Sequence, residues 1–69
     1  MISIDSAEDA IRIADMFILK YHAYRTLKRV VKQEGKWVVE FDVGVLQPLI
    51  VRISVDSATG KIVEYIEVK

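Results

Sequence analysis

The sequence of 69 residues predicts an α+β fold, with one N-terminal helix packed on a four-stranded antiparallel meander sheet. Two observations predict this fold. Apolar residues after Ser6 recur with the helical period, and from Lys36 onward the period changes to two. Short turn sequences separate the later segments, and antiparallel neighbours are the strands that short turns can join. The length allows a single domain over residues 1–69.

The predicted helix begins at Ser6 and ends at about Lys20 or Tyr24. Asp5 and Ser6 are both good N-cap residues, and two acids follow in the first turn, where they complement the helix dipole. At about 100° per residue, one group of side chains lies within about 60° of a single direction. This face contains Ala7, Ala10, Ile11, Ala14, Phe17, Ile18 and Tyr21. We therefore expect this face to pack closely on the sheet.

The two central strands show the most regular alternation. If the chain folds back near residue 46, one register pairs the apolar residues of both strands on one face. These pairs are Val43 with Leu49, Phe41 with Val51, Val39 with Ile53, and Trp37 with Val55. The same register places Glu40 opposite Arg52 on the other face. Because a slip of one residue would turn every side chain over, agreement on both faces predicts this hairpin strongly.

Two outer strands complete the predicted sheet. Residues 26–33, TLKRVVKQ, are β-branched and basic, and Glu34-Gly35-Lys36 supplies the turn that follows them. Because Val30 and Val31 are adjacent, we expect a bulge or an edge position there. The last strand spans residues 62–68. Its facing stays open, since Glu64 interrupts one face and Glu67 the other.

The segment VDSATGKIV, residues 55–63, contains a Gly-Lys pair and raises the question of a phosphate-binding loop. Such a loop needs glycine, four residues, then Gly-Lys-Ser/Thr at the start of a helix. Here Val55 holds the first glycine position, Ile62 follows the lysine, and a strand comes next. A calcium loop is excluded because Asp56 lacks partners at the required offsets. The segment predicts a turn in which Asp56 accepts backbone hydrogen bonds and Gly60 supplies a positive φ.

The same segment resembles the end of PepSY-type domains, where a strand, an Asp-x-x-Thr-Gly turn and a last strand follow a helix. The resemblance extends to the order and spacing of most of the chain, including EGKW at residues 34–37. It implies an appended interaction or inhibitory module without catalytic residues. The chain differs from that pattern in lacking an export signal, which argues against a protease-inhibitor role. Cystatin-like folds have a related helix-on-sheet architecture.

Composition excludes several classes of site. The chain has no cysteine and one histidine, so a Cys/His metal site is excluded. His22 has no nucleophile and orienting acid beside it in KYHAYR, and we predict no catalytic residues, no metal and no cofactor. The N-terminus lacks a secretory pattern, and no apolar stretch is long enough to span a bilayer. We expect a cytoplasmic protein that is not an enzyme.

Basic residues are concentrated in one segment, although the net charge of the chain is zero. Residues 20–36 contain a single acid, and their candidate polyanion-binding residues are Arg25, Lys28, Arg29, Lys32 and Lys36. Such a strip could follow the phosphate backbone of a nucleic acid. The alternative is an edge strand guarded by lysines against edge-to-edge association. Zero net charge favours the guarded edge.

Apolar residues outside the predicted core indicate a surface for association. Ile13 and Met16 lie about 100° and 160° from the core direction of the helix, and Val38 and Ile50 lie on the outer face of the sheet. A small domain has no second layer to cover them, and clustered exposed apolar groups are typical of partner surfaces. We expect a non-enzymatic interaction module that self-associates as a dimer, through the outer sheet face or the exposed helix side. Nucleic-acid or polyanion binding is the alternative.

Overall fold

The computed structural model describes residues 4–68, so the predicted domain of residues 1–69 extends beyond the described part at both ends. The elements are α1 (Ala7–Ile18), β1 (Thr26–Gln33), β2 (Lys36–Asp42), β3 (Ile50–Asp56) and β4 (Ile62–Val68). The four strands form one sheet in the order β1-β2-β3-β4, and each pairs antiparallel with its neighbour. The predicted α+β fold is confirmed.

Helix α1 begins where the sequence predicts. The Ser6 side chain caps it by accepting a hydrogen bond from the Asp9 amide at 3.2 Å. Ala10, Ala14 and Ile18 are fully buried against the sheet. Two alanines on this face let the helix backbone approach the strands closely, as the predicted small-residue face requires.

The predicted end of α1 at Lys20 to Tyr24 is wrong, because the helix ends at Ile18. The Ile18 carbonyl accepts hydrogen bonds from the amides of both Tyr21 and His22, each at 2.9 Å. This tight turn closes the helix and redirects the chain toward β1. Tyr21 is therefore mostly exposed instead of packing in the core as predicted.

The central hairpin has the predicted register. Trp37 pairs with Val55, Val39 with Ile53, and Phe41 with Val51. The Val43 amide donates to the Leu49 carbonyl at 2.9 Å, which extends the pairing to the loop. Glu40 and Arg52 are opposite each other on the outer face, as predicted. The helix-facing residues form the core, and the fully buried strand residues are Val39, Val51, Ile53 and Val55.

Each outer strand contains a β-bulge. In β1 the pairing moves from Leu27 opposite Phe41 to Arg29 opposite Glu40, which leaves Lys28 as the extra residue. Because of this bulge, Leu27 and Val30, which are three residues apart, both pair with helix-side residues of β2.

The second bulge decides the facing of β4, which the sequence left open. Ser54 pairs with Glu64 but Val55 pairs with Ile62, so Val63 is the extra residue. Ile62 and Tyr65 consequently both face the helix side, where they pack on the core.

Both predicted turns are confirmed. Glu34 and Gly35 have positive φ values of 47° and 79°, the pattern of a two-residue hairpin turn. In the VDSATGKIV segment, Asp56 Oδ1 accepts from the Ala58 amide at 2.8 Å and the Thr59 amide at 3.1 Å. Gly60 has a φ of 76°, as that turn requires.

Candidate functional site

An apolar groove runs between α1 and β4. The helix packs mainly on β1, β2 and β3, and it leaves the helix-side face of β4 only partly covered. The groove measures about 350 Å³ and is open to solvent. It is lined by Ile13, Met16, Phe17, Lys20 and Ile62, and we call it the α1–β4 groove.

The lining of the α1–β4 groove is apolar apart from one cation. Met16 stands on its rim with 66% of its surface exposed. Ile13 and Ile62 are partly buried and pack on the core below. The Lys20 ammonium lies 5.8 Å from the centre of the Phe17 ring, within the range of a cation–π contact. The groove therefore offers a solvated apolar floor with a positive charge at one end.

Three aromatic rings support the same end of the groove. Phe17, Tyr21 and Tyr65 contact one another with centroid separations of 5.6 Å for each pair. Burial raises the pKa of the Tyr65 hydroxyl. Nearby, His22 Nε2 lies 3.9 Å from a carboxylate oxygen of Glu67. These contacts join the turn after α1 to β4 and hold the groove walls in place.

Around Val38, the outer face of the sheet is not an exposed apolar surface. Val38 points to this face but only 9% of it is exposed, and its neighbour Ser54 is 1% exposed. Both lie at the base of a shallow depression of about 280 Å³. Its lining is Arg29, Val31, Gln33, Lys36, Val38, Glu40, Arg52, Ser54 and Glu64. The long charged side chains cover the apolar floor with their aliphatic stems.

The four predicted interface residues do not form one surface. Ile13 and Met16 share the α1–β4 groove. Ile50 pairs with Asp42 near the opposite end of the outer face from Val38, and it is half-buried. Glu40 and Arg52 lie between them, with an ion pair of 3.1 Å. Of these four residues, Met16 on the helix side is the most exposed.

The predicted polyanion-binding residues lie at different places in the fold and contact different partners. Arg25 binds Asp15 of α1 through two hydrogen bonds, one of them 2.9 Å long. The Lys32 ammonium lies 5.6 Å from the Trp37 ring centre, and Lys28 occupies the bulge. Arg29 and Lys36 both line the outer depression, where Arg52 joins them. The described basic residues therefore do not follow one continuous strip.

The Arg25–Asp15 ion pair predicts a pH-dependent stability. The hydrogen bond from Arg25 is the main reason that the pKa of Asp15 lies below its ordinary value. A depressed pKa in the folded state stabilises the fold above the ordinary aspartate pKa of about 4, and the contribution disappears as the pH falls through the depressed value. We expect Asp15→Asn to lower the melting temperature at neutral pH, with a difference from wild type that shrinks to nothing in acid.

Melting curves followed by circular dichroism from neutral to strongly acidic pH check this prediction. Glu8→Gln is the matched control, since Glu8 is an exposed acid of the same helix. A melting-temperature difference for Asp15→Asn that stays constant with pH would contradict the assigned role of the ion pair.

Some residues that shape the surface escaped the sequence analysis. Phe17 was assigned to the core but also lines the groove, and Ile62 could not be placed without knowledge of the β4 bulge. The loop between β2 and β3 carries Val45 and Leu46, and Leu46 is 96% exposed. The sequence does contain a signal for these exposed residues, because two adjacent apolar residues stand directly before Gln47-Pro48 in a predicted turn.

Within residues 4–68, no group of three or more His, Asp or Glu side chains is arranged to hold a metal ion. The helix of the described region is too short to cross a membrane. No family model, curated protein or solved structure matches the chain. The PepSY resemblance therefore stays a prediction.

Proposed function

We propose that this chain is a small non-enzymatic protein-interaction module that self-associates as a homodimer through the exposed side of α1. The α1–β4 groove is the observation that supports this proposal. Its apolar lining lies on the open flank of the sheet, and Met16 projects from its rim with most of its surface in water. Clustered exposed apolar residues of this kind are typical of association surfaces.

Burial of this surface is large on the energy scale of so small a domain. About 300 Å² of apolar surface removed from water contributes about 7 kcal/mol before the costs of association. A chain of 69 residues has a total stability of about 3–10 kcal/mol. A second copy that covers the groove stabilises the folded chain by the amount that this gain exceeds the cost of association, through linkage of association to folding.

The other surfaces support association or binding less well. Around Val38 the outer sheet face has a covered floor, and a ladder of alternating charges crosses this face at Arg29, Glu40 and Arg52. Polyanion binding would need the basic residues on one face, and Arg25 is already bound to Asp15. The helix side combines apolar exposure with a concave shape.

Analytical ultracentrifugation tests the proposal. Wild-type protein is expected to sediment as a dimer at high micromolar concentration. Met16→Lys places a charge on the apolar rim and should raise the dissociation constant about 30-fold or more, the effect of losing a central interface residue.

Val45→Lys is the matched control, because it introduces the same charge at an exposed apolar residue of the β2–β3 loop. We expect it to leave the dissociation constant unchanged. A wild-type protein that stays monomeric up to high micromolar concentration would refute the proposal. Equal effects of Met16→Lys and Val45→Lys would refute the assigned surface.

A further inference from the structure

We infer that two copies pair their α1 helices antiparallel about a two-fold axis between Ile13 and Met16, with Lys20 of each copy bound to the partner subunit's Asp9. This inference rests on the proposed homodimer and specifies its geometry. It is argued from a stripe of four residues on the exposed side of α1. The stripe consists of Asp9, Ile13, Met16 and Lys20.

The spacing of the stripe places its members on one side of the helix. At about 100° per residue, positions 9, 13, 16 and 20 lie within about 60° of one another. Their mean direction is about 130° from the buried face formed by Ala10, Ala14 and Ile18. Lys20 follows the end of α1, but Leu19 keeps helical backbone angles and its amide donates to the Asp15 carbonyl at 3.0 Å. Lys20 consequently lines the same groove as Ile13 and Met16.

The stripe is complementary to itself when it is reversed. It reads acid, apolar, apolar, base along the chain, with about 16 Å between the charged positions. A two-fold axis midway between Ile13 and Met16 brings Ile13 opposite the partner subunit's Met16. The same axis brings Lys20 opposite the partner subunit's Asp9, once at each end. Isologous two-fold interfaces require this kind of self-complementary pattern.

The charges also select the direction of pairing. Parallel helices in register would place the two copies of Asp9 together and the two copies of Lys20 together, which is unfavourable. Arg12 binds Asp9 within its own helix, but the Arg12 side chain is largely exposed and the Asp9 side chain is partly exposed. An exposed pair of this kind is weak, so the carboxylate can accept a second cation. Asp15 points to a different side of α1 and is occupied by Arg25.

The apolar centre of the stripe fits the shape of the groove. Met16 is a flexible side chain that adapts to irregular apolar spaces. In the antiparallel arrangement, it projects toward the partner subunit's Ile13, on the wall of the partner's α1–β4 groove. The two symmetry-related insertions cover the most exposed apolar residue of the helix in both copies.

A charge-exchange cycle tests this arrangement. We compare the dissociation constants of wild type, Asp9→Lys, Lys20→Asp and the double variant by analytical ultracentrifugation at low salt. Each single variant brings like charges together at both ends and should weaken the dimer about tenfold. The double variant restores opposite charges and should recover most of that loss. Raising the salt concentration should reduce the differences in dissociation constant among the four proteins.

Glu8→Lys is the control, because it makes the same charge change in the first helical turn but points about 110° away from the stripe. It should weaken the helix through the dipole, as Asp9→Lys also does, without changing the dissociation constant. A double variant that dimerises no better than either single variant overturns the antiparallel pairing and leaves the homodimer proposal standing. A monomeric wild-type protein overturns both.

Discussion

Ile53→Ala is expected to lower the free energy of unfolding by about 3 kcal/mol, the largest loss we predict for a single core truncation. Ile53 is fully buried at the centre of the sheet, between Val39 of β2 and Tyr65 of β4. Removing its branched side chain forfeits apolar burial and leaves a cavity that the close-packed helix cannot fill. That loss is a large share of the about 3–10 kcal/mol available to a domain of this size.

Urea unfolding followed by fluorescence measures this change, since Trp37 is the only tryptophan of the chain. Ile66→Ala is the matched control, because Ile66 is exposed on the outer face of the neighbouring strand. We expect the control to cost less than about 1 kcal/mol. Equal losses for the two variants would contradict the placement of the core on the helix side.

Gly44→Ala is expected to destabilise the fold by about 2–4 kcal/mol through a direct clash in the β2–β3 loop. A Cβ atom at Gly44 would lie 1.7 Å from the Gln47 carbonyl oxygen and 2.8 Å from the Leu49 amide nitrogen. Both neighbours are backbone atoms, so the loop itself must open. Asp42 Oδ1 would then lose the hydrogen bonds that the Gly44 and Leu49 amides donate at 2.9 Å and 3.2 Å.

Two measurements identify this mechanism. Gly35→Ala is the control for unfolding free energy, because Gly35 has a positive φ but nothing within 4 Å of an added Cβ; it should cost about 1–2 kcal/mol. The amide bonds from Gly44 and then Leu49 lower the pKa of Asp42, so that pKa should rise in Gly44→Ala. A Gly44→Ala variant as stable as Gly35→Ala, with an unchanged Asp42 pKa, would contradict the loop geometry.

The sequence predicted the parts of the fold that two independent patterns determine together. The β2–β3 register follows from alternation on both faces, and Glu40 opposite Arg52 agrees with the buried pairs. The end of α1 was predicted wrongly because the apolar period continues through Tyr21. The tight turn at the Ile18 carbonyl depends on the path that the chain takes to β1. The apolar periodicity carries no information about that path.

The candidate site was predictable only from the helix side. Ile13 and Met16 follow from helical angles alone, and both line the groove. The facing of Ile62 depends on the bulge at Val63, which places Ile62 on the same face as Tyr65. The low exposure of Val38 depends on long charged neighbours that cover it, and alternation along one strand carries no information about them.

The β-bulges at Lys28 and Val63 lie in the two edge strands of the sheet, β1 and β4. A regular strand from another molecule can form the sheet hydrogen bonds on one side of a β-bulge, but its register does not fit on the other side. Edge-to-edge addition of further copies into a continuous sheet is therefore disfavoured at both edge strands.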